Sequence, residues 1–286
     1  MRPSRRARLA EVAAGAVLLA LAGGATLPRA DAGPAPAASD AQAATLLMRN
    51  MTWLDIKSAI EHGTTTVIIP TGGIEQNGPH MVLGKHDSIV AAAAERIAAA
   101  VGHTLVAPVV SFVPQGDIDP PTGNMLFPGT IGVPEPVFEG LLEGIARSLK
   151  HAGFKDIVFI GDHGMSQPAQ ARVAAKLTKE WSWSFGAVRV HQIDKYYDDS
   201  AQVAALKAEG ETPDTIGSHA SLIDTSELMS VSPASVDLAR LALAKGNLAS
   251  AGGSGDPARA SITRGAALLK MRVDAAIVQI RAVVAR

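Results

Sequence analysis

Gly72-Gly73-Ile74-Glu75-Gln76-Asn77-Gly78-Pro79-His80-Met81-Val82-Leu83-Gly84-Lys85-His86-Asp87 is the stretch on which the reading of this chain turns. It places a carboxylate, an amide, two imidazoles and a second carboxylate on one connection broken by glycines. Residues 65–70 just before it are a continuous apolar, β-branched run, the pattern of a strand covered on both faces. Residues 88–101 just after it are rich in alanine and form a helix pattern. Polar groups at a strand-to-helix exit sit where α/β proteins assemble ligand sites. A metal or acid/base site is therefore the first expectation.

The same alternation continues outward. Ahead of the strand, Thr52 and Asp55 can cap a helix that turns Leu54, Ile56, Ala59 and Ile60 to a core and ends at Gly63. Downstream, residues 104–113 read as a second strand, and the proline- and glycine-bearing run from Pro114 to Asn124 reads as an irregular loop long enough to cover a site. A helix over 136–151 stops at Gly153, and a third strand over 156–160 opens into Gly161-Asp162-His163-Gly164-Met165-Ser166-Gln167. A helix to Trp181, a fourth strand over 187–193 and an irregular, charged segment over 194–215 follow. The chain closes with Gly217-Ser218-His219-Ala220-Ser221-Leu222-Ile223-Asp224-Thr225-Ser226, the turn Gly252-Gly253-Ser254-Gly255-Asp256-Pro257 and a helix over 263–284. In that helix Ala267, Leu268, Met271, Ala275, Ile277, Val278 and Ile280 form a stripe that reads as packing against the sheet or a neighbouring subunit, and Trp181 and Trp183 likewise read as packing. Strand and helix alternating in this way predict one α/β domain with a mainly parallel central sheet.

With 286 residues, 47% hydrophobic and 19% charged, and a formal net charge of -1, the chain can bury a substantial core and shows no electrostatic footprint for nucleic acid. It has no cysteine, so a metal here must be held by His, Asp, Glu or backbone groups. The first eight residues carry four arginines and no acid, residues 12–27 are small and apolar, and Ala30-Asp31-Ala32 offers a small-x-small cleavage site. These are the parts of an export signal, assigned to residues 1–32; its glycine-broken apolar run is too short for a retained anchor. Export by the general secretory route, or by the twin-arginine route suggested by Ser4-Arg5-Arg6, implies a periplasmic or secreted product without stable membrane association. Residues 33–50 read as a flexible leader and 51–286 as the folded domain.

Three polar clusters stand at strand exits or in glycine-bounded loops: Glu75 to Asp87, Asp162 to Gln167, and His219 to Asp224. Parallel strands laid side by side would bring them together. At this point the chain resembles the creatininase family, the metal-dependent creatinine amidohydrolases. Pro70-Thr71-Gly72-Gly73-Ile74-Glu75-Gln76-Asn77-Gly78-Pro79-His80 is similar to that family's Pro-x-Gly-Ser-x-Glu-Gln-His-Gly-Pro-His. Phe127-Pro128-Gly129-Thr130-Ile131 also matches, Gly161-Asp162-His163-Gly164 is similar to Asn-Gly-His-Gly-Gly-Asn, and His219-Ala220 with Asp224-Thr225-Ser226 is similar to His-Ala-Gly-x-x-Glu-Thr-Ser. The resemblance runs from Met51 to Arg286. It implies a three-layer α/β/α fold, a homo-oligomer, a small-molecule substrate, and hydrolysis of a cyclic or linear amide by metal-activated water.

Carried over residue by residue, the resemblance makes Glu75 and His163 metal ligands. Asn77 stands where the family has a second histidine ligand, Asp224 where it has a glutamate, and His86, without a gap, where it has a bridging aspartate. An imidazole nitrogen has one lone pair and cannot bridge two ions. The ungapped register thus implies one divalent ion, Zn2+, Mn2+ or Fe2+, on Glu75, His86 and His163, completed by Asp224 or a water. A one-residue insertion would instead make Asp87 the bridge and permit two ions; the single ion is the expectation adopted. On the family's analogy His219 or Asp224 carries the proton to the leaving nitrogen, while His80 holds the loop and Lys85 is either a solvated cation or a partner for an anionic substrate group. Two rival readings stay open: an exported binding protein that has lost its metal, motivated by Asn77, Met165 and Leu222 at polar family positions, and a ring-opening or isomerising enzyme acting on a sugar-derived cyclic ketone.

Overall fold

The apolar run after Gly63 forms β1 (Thr66–Thr71), buried at every position, in a computed structural model that describes residues 45–183 and 188–284. β1 pairs in parallel with β2 (Thr104–Val106) on one side and β3 (Asp156–Gly161) on the other, and β3 pairs in parallel with β4 (Arg189–Gln192), giving the order β2-β1-β3-β4. Thr66 stands beside both Thr104 and Asp156, and Thr71 beside Gly161, so the exits of β1 and β3 lie at one level of the sheet. That level is where Glu75 and His163 begin.

Side chains alternate across the sheet, so each strand feeds two cores. Val67, Ile69, Leu105, Ile157, Phe159 and Val190 point into one, with Phe138 and Leu142 of α3 (Glu135–Ala152) and Val173 and Leu177 of α4 (Gln167–Trp181). α1 (Trp53–Glu61) covers its margin through Ile56, Ala59 and Ile60 behind a reciprocal Thr52/Asp55 capping box, while Leu54 is exposed. Ile68, Val106, Val158 and Ile160 point into the other core, with α2 (Lys85–Val101), α7 (Leu222–Val231) and α8 (Ile262–Val284). The result is the three-layer α/β/α arrangement with a parallel sheet. α5 (Ser200–Ala208) and the short α6 (Pro213–Ile216) pack beside it around Leu206, Ile216, Leu222 and Leu268.

Several boundaries differ from the sequence reading. The second strand stops at Val106 rather than 113, because Pro108 has no N–H to continue the ladder, although Val110 still exchanges hydrogen bonds with Pro70 O and Gly72 N (2.9 and 3.0 Å). The segment over 194–215 is not irregular throughout, since alanine-rich Ser200–Ala208 is helical. In the closing helix the buried face is Gly265, Leu268, Leu269, Arg272, Val273, Ala276, Ile277 and Ile280, and Val278 is exposed. Trp181 packs in the core, but Trp183 is 92% exposed and does not. Of the segment read as a leader, Leu46 and Leu47 join the domain, Val106 N donating to Leu46 O at 2.9 Å. Met48–Asn50 of that segment form a 3-10 turn, with Met48 against the core, while residues 33–44 and the export signal read at 1–32 lie outside the described residues.

Candidate metal centre and active site

Glu75 is fully buried on the connection after β1, and everything around it serves to hold its carboxylate. Gly72 and Gly73 let the chain leave the strand beneath the first turn of α2, where Asp87 Oδ1 accepts from Gly73 N at 3.0 Å. A Cβ on Gly72 would lie 1.9 Å from that oxygen, so the approach requires glycine. Asn77 donates through Nδ2 to the carbonyls of Glu75 and Val82 (2.9 and 3.2 Å), which folds the connection back on itself. His80 Nε2 meets Thr225 Oγ1 at 2.9 Å and ties the connection to α7. The Phe127-Pro128-Gly129-Thr130-Ile131 block closes the other side, with Gln76 N donating to Thr130 Oγ1 (3.2 Å) and Ile131 N to Ile74 O (2.9 Å).

Two imidazoles converge on this one carboxylate. His86 Nε2 lies 2.6 Å from Glu75 Oε1 and His163 Nε2 lies 2.8 Å from Glu75 Oε2, and one ligand atom from each of the three residues falls within 4.8 Å of the others. Among the described residues this is the one such group of three or more metal-ligating side chains. Burial would raise the Glu75 carboxyl, but His86, His163 and Lys85 outweigh it and hold the group ionised far below the usual range. For His86, burial and Lys85 favour the neutral ring; Glu75 and Asp162 overcome them and push it up to about 9. His86 Nδ1 donates to Asp162 Oδ2 at 2.7 Å, and Asp162 in turn accepts from Arg272 (2.7 Å) and Tyr196 (3.1 Å). Arg272 is shared with Glu227 at 2.8 Å. A carboxylate behind one ring nitrogen fixes the imidazole so that the other nitrogen points at the centre.

The residues fit a divalent cation. The donors are two imidazoles and one carboxylate, all buried. Five carboxylates line the cavity, Glu75, Asp162, Asp198, Asp199 and Asp224, against Lys85, Arg272 and His86, and the negative balance admits a dication.

The centre opens into a cavity of about 450 Å³. Lys85, 1% exposed, reaches Asp224 Oδ1 at 3.1 Å and Glu75 Oε1 at 3.8 Å, so it is a buried ion-paired cation and not a solvated one. Asp224 Oδ2 also caps α7 through Ser221 N (3.3 Å); against the opposing effect of burial, Lys85, His86 and His219 hold its carboxyl at about 2. His219 Nε2 lies 2.8 Å from Gln76 Nε2 and 3.0 Å from Gln76 O, and its Nδ1 lies 3.8 Å from Glu75 Oε1. Burial and the neighbouring Lys85 lower its pKa and keep the ring neutral. The loop bearing His219 is strained at Ala220 (φ 47°) and braced by Ser254, whose Oγ accepts from the amides of Ser218 (2.8 Å) and His219 (3.0 Å).

Of the residues singled out in the sequence, then, Glu75, His86 and His163 come together, His219 and Asp224 stand at the same cavity, and Asp87 is turned onto the backbone of Gly73. Arg272, Tyr196, Glu227 and Asn124 were not singled out. Asn124 Nδ2 donates to Glu75 Oε2 at 2.5 Å and to Gln115 Oε1 at 2.9 Å. Arg272 had a signal, a charge inside the apolar stripe of a closing helix; Asn124 had none in a loop of turn residues.

A family model described as creatinine amidohydrolase, Creatininase, matches residues 49–280. A creatinine amidohydrolase of Pseudomonas putida is 24% identical over 201 residues, covering 69% of this chain and 76% of that protein. A mycofactocin precursor peptide peptidase of Mycolicibacterium smegmatis is 32% identical over 119 residues, 40% of this chain and 45% of its own length. Among solved structures, a mutant creatininase of the Zn-Zn type superposes with a TM-score of 0.68 at 21% identity, covering 83% of this chain and 98% of its own. One named creatininase Mn gives 0.67 at 22% identity with the same coverage. At these identities the structural likeness establishes the fold.

Proposed function

This chain belongs to the creatininase family of metal-dependent amidohydrolases, and on that premise we propose that it hydrolyses an amide C–N bond of a small molecule with one divalent ion held by Glu75, His86 and His163. The convergence of those three buried side chains at the strand exits carries the reading. Two relatives named for creatinine and for a precursor peptide support the bond class. Zn2+, Mn2+ and Fe2+ suit the donor set. A single ion is supported by Asp87, whose Oδ1 is spent on Gly73 N.

Bound there, such an ion supplies Lewis acidity and an acidified water. The chain supplies the rest. Asp162 keeps the proton of His86 on Nδ1, so that Nε2 faces the centre. Lys85, positioned by Asp224, places a buried positive charge where negative charge develops on the substrate carbonyl oxygen. His219, kept neutral by burial and Lys85 and with Nδ1 turned toward Glu75, takes a proton and returns it to the leaving nitrogen. Asp224, held as an anion by Lys85, orients that lysine and does not carry the proton.

The amino-terminal signal pattern supports export to the periplasm or beyond, and exposed Phe112, Ile118, Leu126 and Ile131 support a homo-oligomer. Elemental analysis of purified protein, with turnover on lactams, cyclic ureides, formamides and lactones, tests the reading. One equivalent per chain and amide turnover are expected, both lost in Glu75→Ala; two equivalents would overturn the one-ion arrangement, and a variant with unchanged metal and turnover would overturn the hydrolase.

A further inference from the structure

Tyr197 stands on the wall of the cavity together with the loop of His163. It follows the 3-10 turn Asp194–Tyr196, its backbone N donating to Asp194 O at 3.0 Å. That turn is fastened on both sides, Lys195 N donating to Gln279 Oε1 (3.0 Å) and the buried Tyr196 hydroxyl to Asp162 Oδ1 (3.1 Å). The phenol of Tyr197 lies over Gly164, the residue after His163 and itself part of the cavity lining. A Cβ on Gly164 would stand 2.6 Å from Tyr197 Oη and 3.3 Å from its Cζ, so the hydroxyl end of the ring reaches in beside the candidate ligand. There Oη has no hydrogen-bond partner among the described residues.

The other hydroxyl, side-chain amide and cationic donors lining the cavity are engaged. Lys85 pairs with Asp224 and Glu75, Arg272 with Asp162 and Glu227, and the Gln202 amide with Glu227 and Leu268 O. Ser221 Oγ donates to Asp224 Oδ2 (3.4 Å), and Ser218 Oγ meets Ser254 Oγ (3.5 Å). The nearby carboxylates do not take the phenol, since Asp198 accepts from Lys195 and Ser200 and Asp199 makes no bond to it. Burial, with Asp162 and Asp224 adding to it, pushes the phenol up to about 12, so the group keeps its proton. Tyr197 thus offers a neutral O–H to an acceptor that the protein does not supply. On the reading above, the oxygen of the scissile amide is met by the ion and Lys85, which leaves Tyr197 for another oxygen of the substrate.

We propose that Tyr197 is a specificity-determining residue whose phenol donates to a second carbonyl oxygen, so that the substrate is an imide, a cyclic ureide or another amide with a carbonyl in addition to the scissile one. This rests on the hydrolase reading, and the test separates the two. Protein incubated with Zn2+ is assayed for metal content and then titrated calorimetrically with two matched pairs, succinimide against 2-pyrrolidinone and hydantoin against 2-imidazolidinone. The first member of each pair adds one carbonyl. In at least one pair that carbonyl is expected to tighten binding about threefold to tenfold, the worth of one neutral hydrogen bond. Tyr197→Phe, which keeps the ring and removes only the hydroxyl, is expected to erase the advantage. Metal content, the circular dichroism spectrum and binding of the one-carbonyl members are expected to match the parent. No advantage in either pair, an advantage that survives Tyr197→Phe, equal weakening of both members, or no binding of any of the four would overturn the assignment of Tyr197. Failure to take up Zn2+ would overturn the hydrolase reading, and the carbonyl advantage, scored on the same sample, would still decide the assignment.

Discussion

At the scale of single residues, the site is decided by which of two neighbours faces it. His86 and Asp87 are adjacent, and on a helix adjacent side chains diverge by about 100°. The sequence left both open because the helix was read from residue 88; it begins at Lys85, which puts both in its first turn and turns only His86 to Glu75. Lys85 was equally illegible, since nothing in its neighbours announces that a lysine is buried. His80 was legible as a loop-holding residue, and it carries a pH signature. Burial, with Lys85 adding and Asp224 opposing, lowers its pKa to about 4 from an ordinary 6.5. The unfolded chain therefore takes up the proton first as pH falls. Stability from this group is intact above pH 6.5 and drains away down to pH 4. His80→Asn, which can still meet Thr225, should flatten that part of the stability curve, measured by urea denaturation at pH 7, 5.5 and 4.5; an unchanged slope would refute the assignment.

At the scale of elements, the strands and long helices follow from composition, while the phase of α8 and the role of the 114–124 loop do not. An apolar stripe drawn on α8 from hydrophobic residues alone misses Arg272, because its burial depends on Asp162 and Glu227 arriving from other parts of the chain. The loop was legible as a cover, but its action is specific: Asn124 brings a donor to the outer oxygen of Glu75. Removing that donor frees the carboxylate without touching the imidazoles. Asn124→Ala should cost on the order of 1 kcal/mol of stability and reduce metal affinity or kcat/KM about tenfold. Asn124→Asp, which sets a second anion against Glu75, should lose more. Chelator competition and steady-state kinetics would show it, and parity between Asn124→Ala and the parent would remove the loop from the site.

At the scale of the whole molecule, the candidate metal centre joins both ends of the domain. Glu75 leaves β1, His163 leaves β3, His86 opens α2, and the support behind His86 comes from Arg272 on the closing helix. Any ion bound at Glu75, His86 and His163 therefore ties together the sheet and two helices of one layer, so its binding energy is expressed as stability of the entire domain. An ion that binds only the folded state at a hundred times its dissociation constant stabilises it by about 2.7 kcal/mol. For a domain of this size that corresponds to a rise in Tm of roughly 5–10 °C. Differential scanning calorimetry should show that rise as one shift of a single transition, increasing with the logarithm of ion concentration. Glu75→Ala should abolish it. If the ion instead sharpened or displaced only part of a split transition, the centre would be stabilising a local loop, and the coupling through Asp162 and Arg272 to α8 would have to be abandoned.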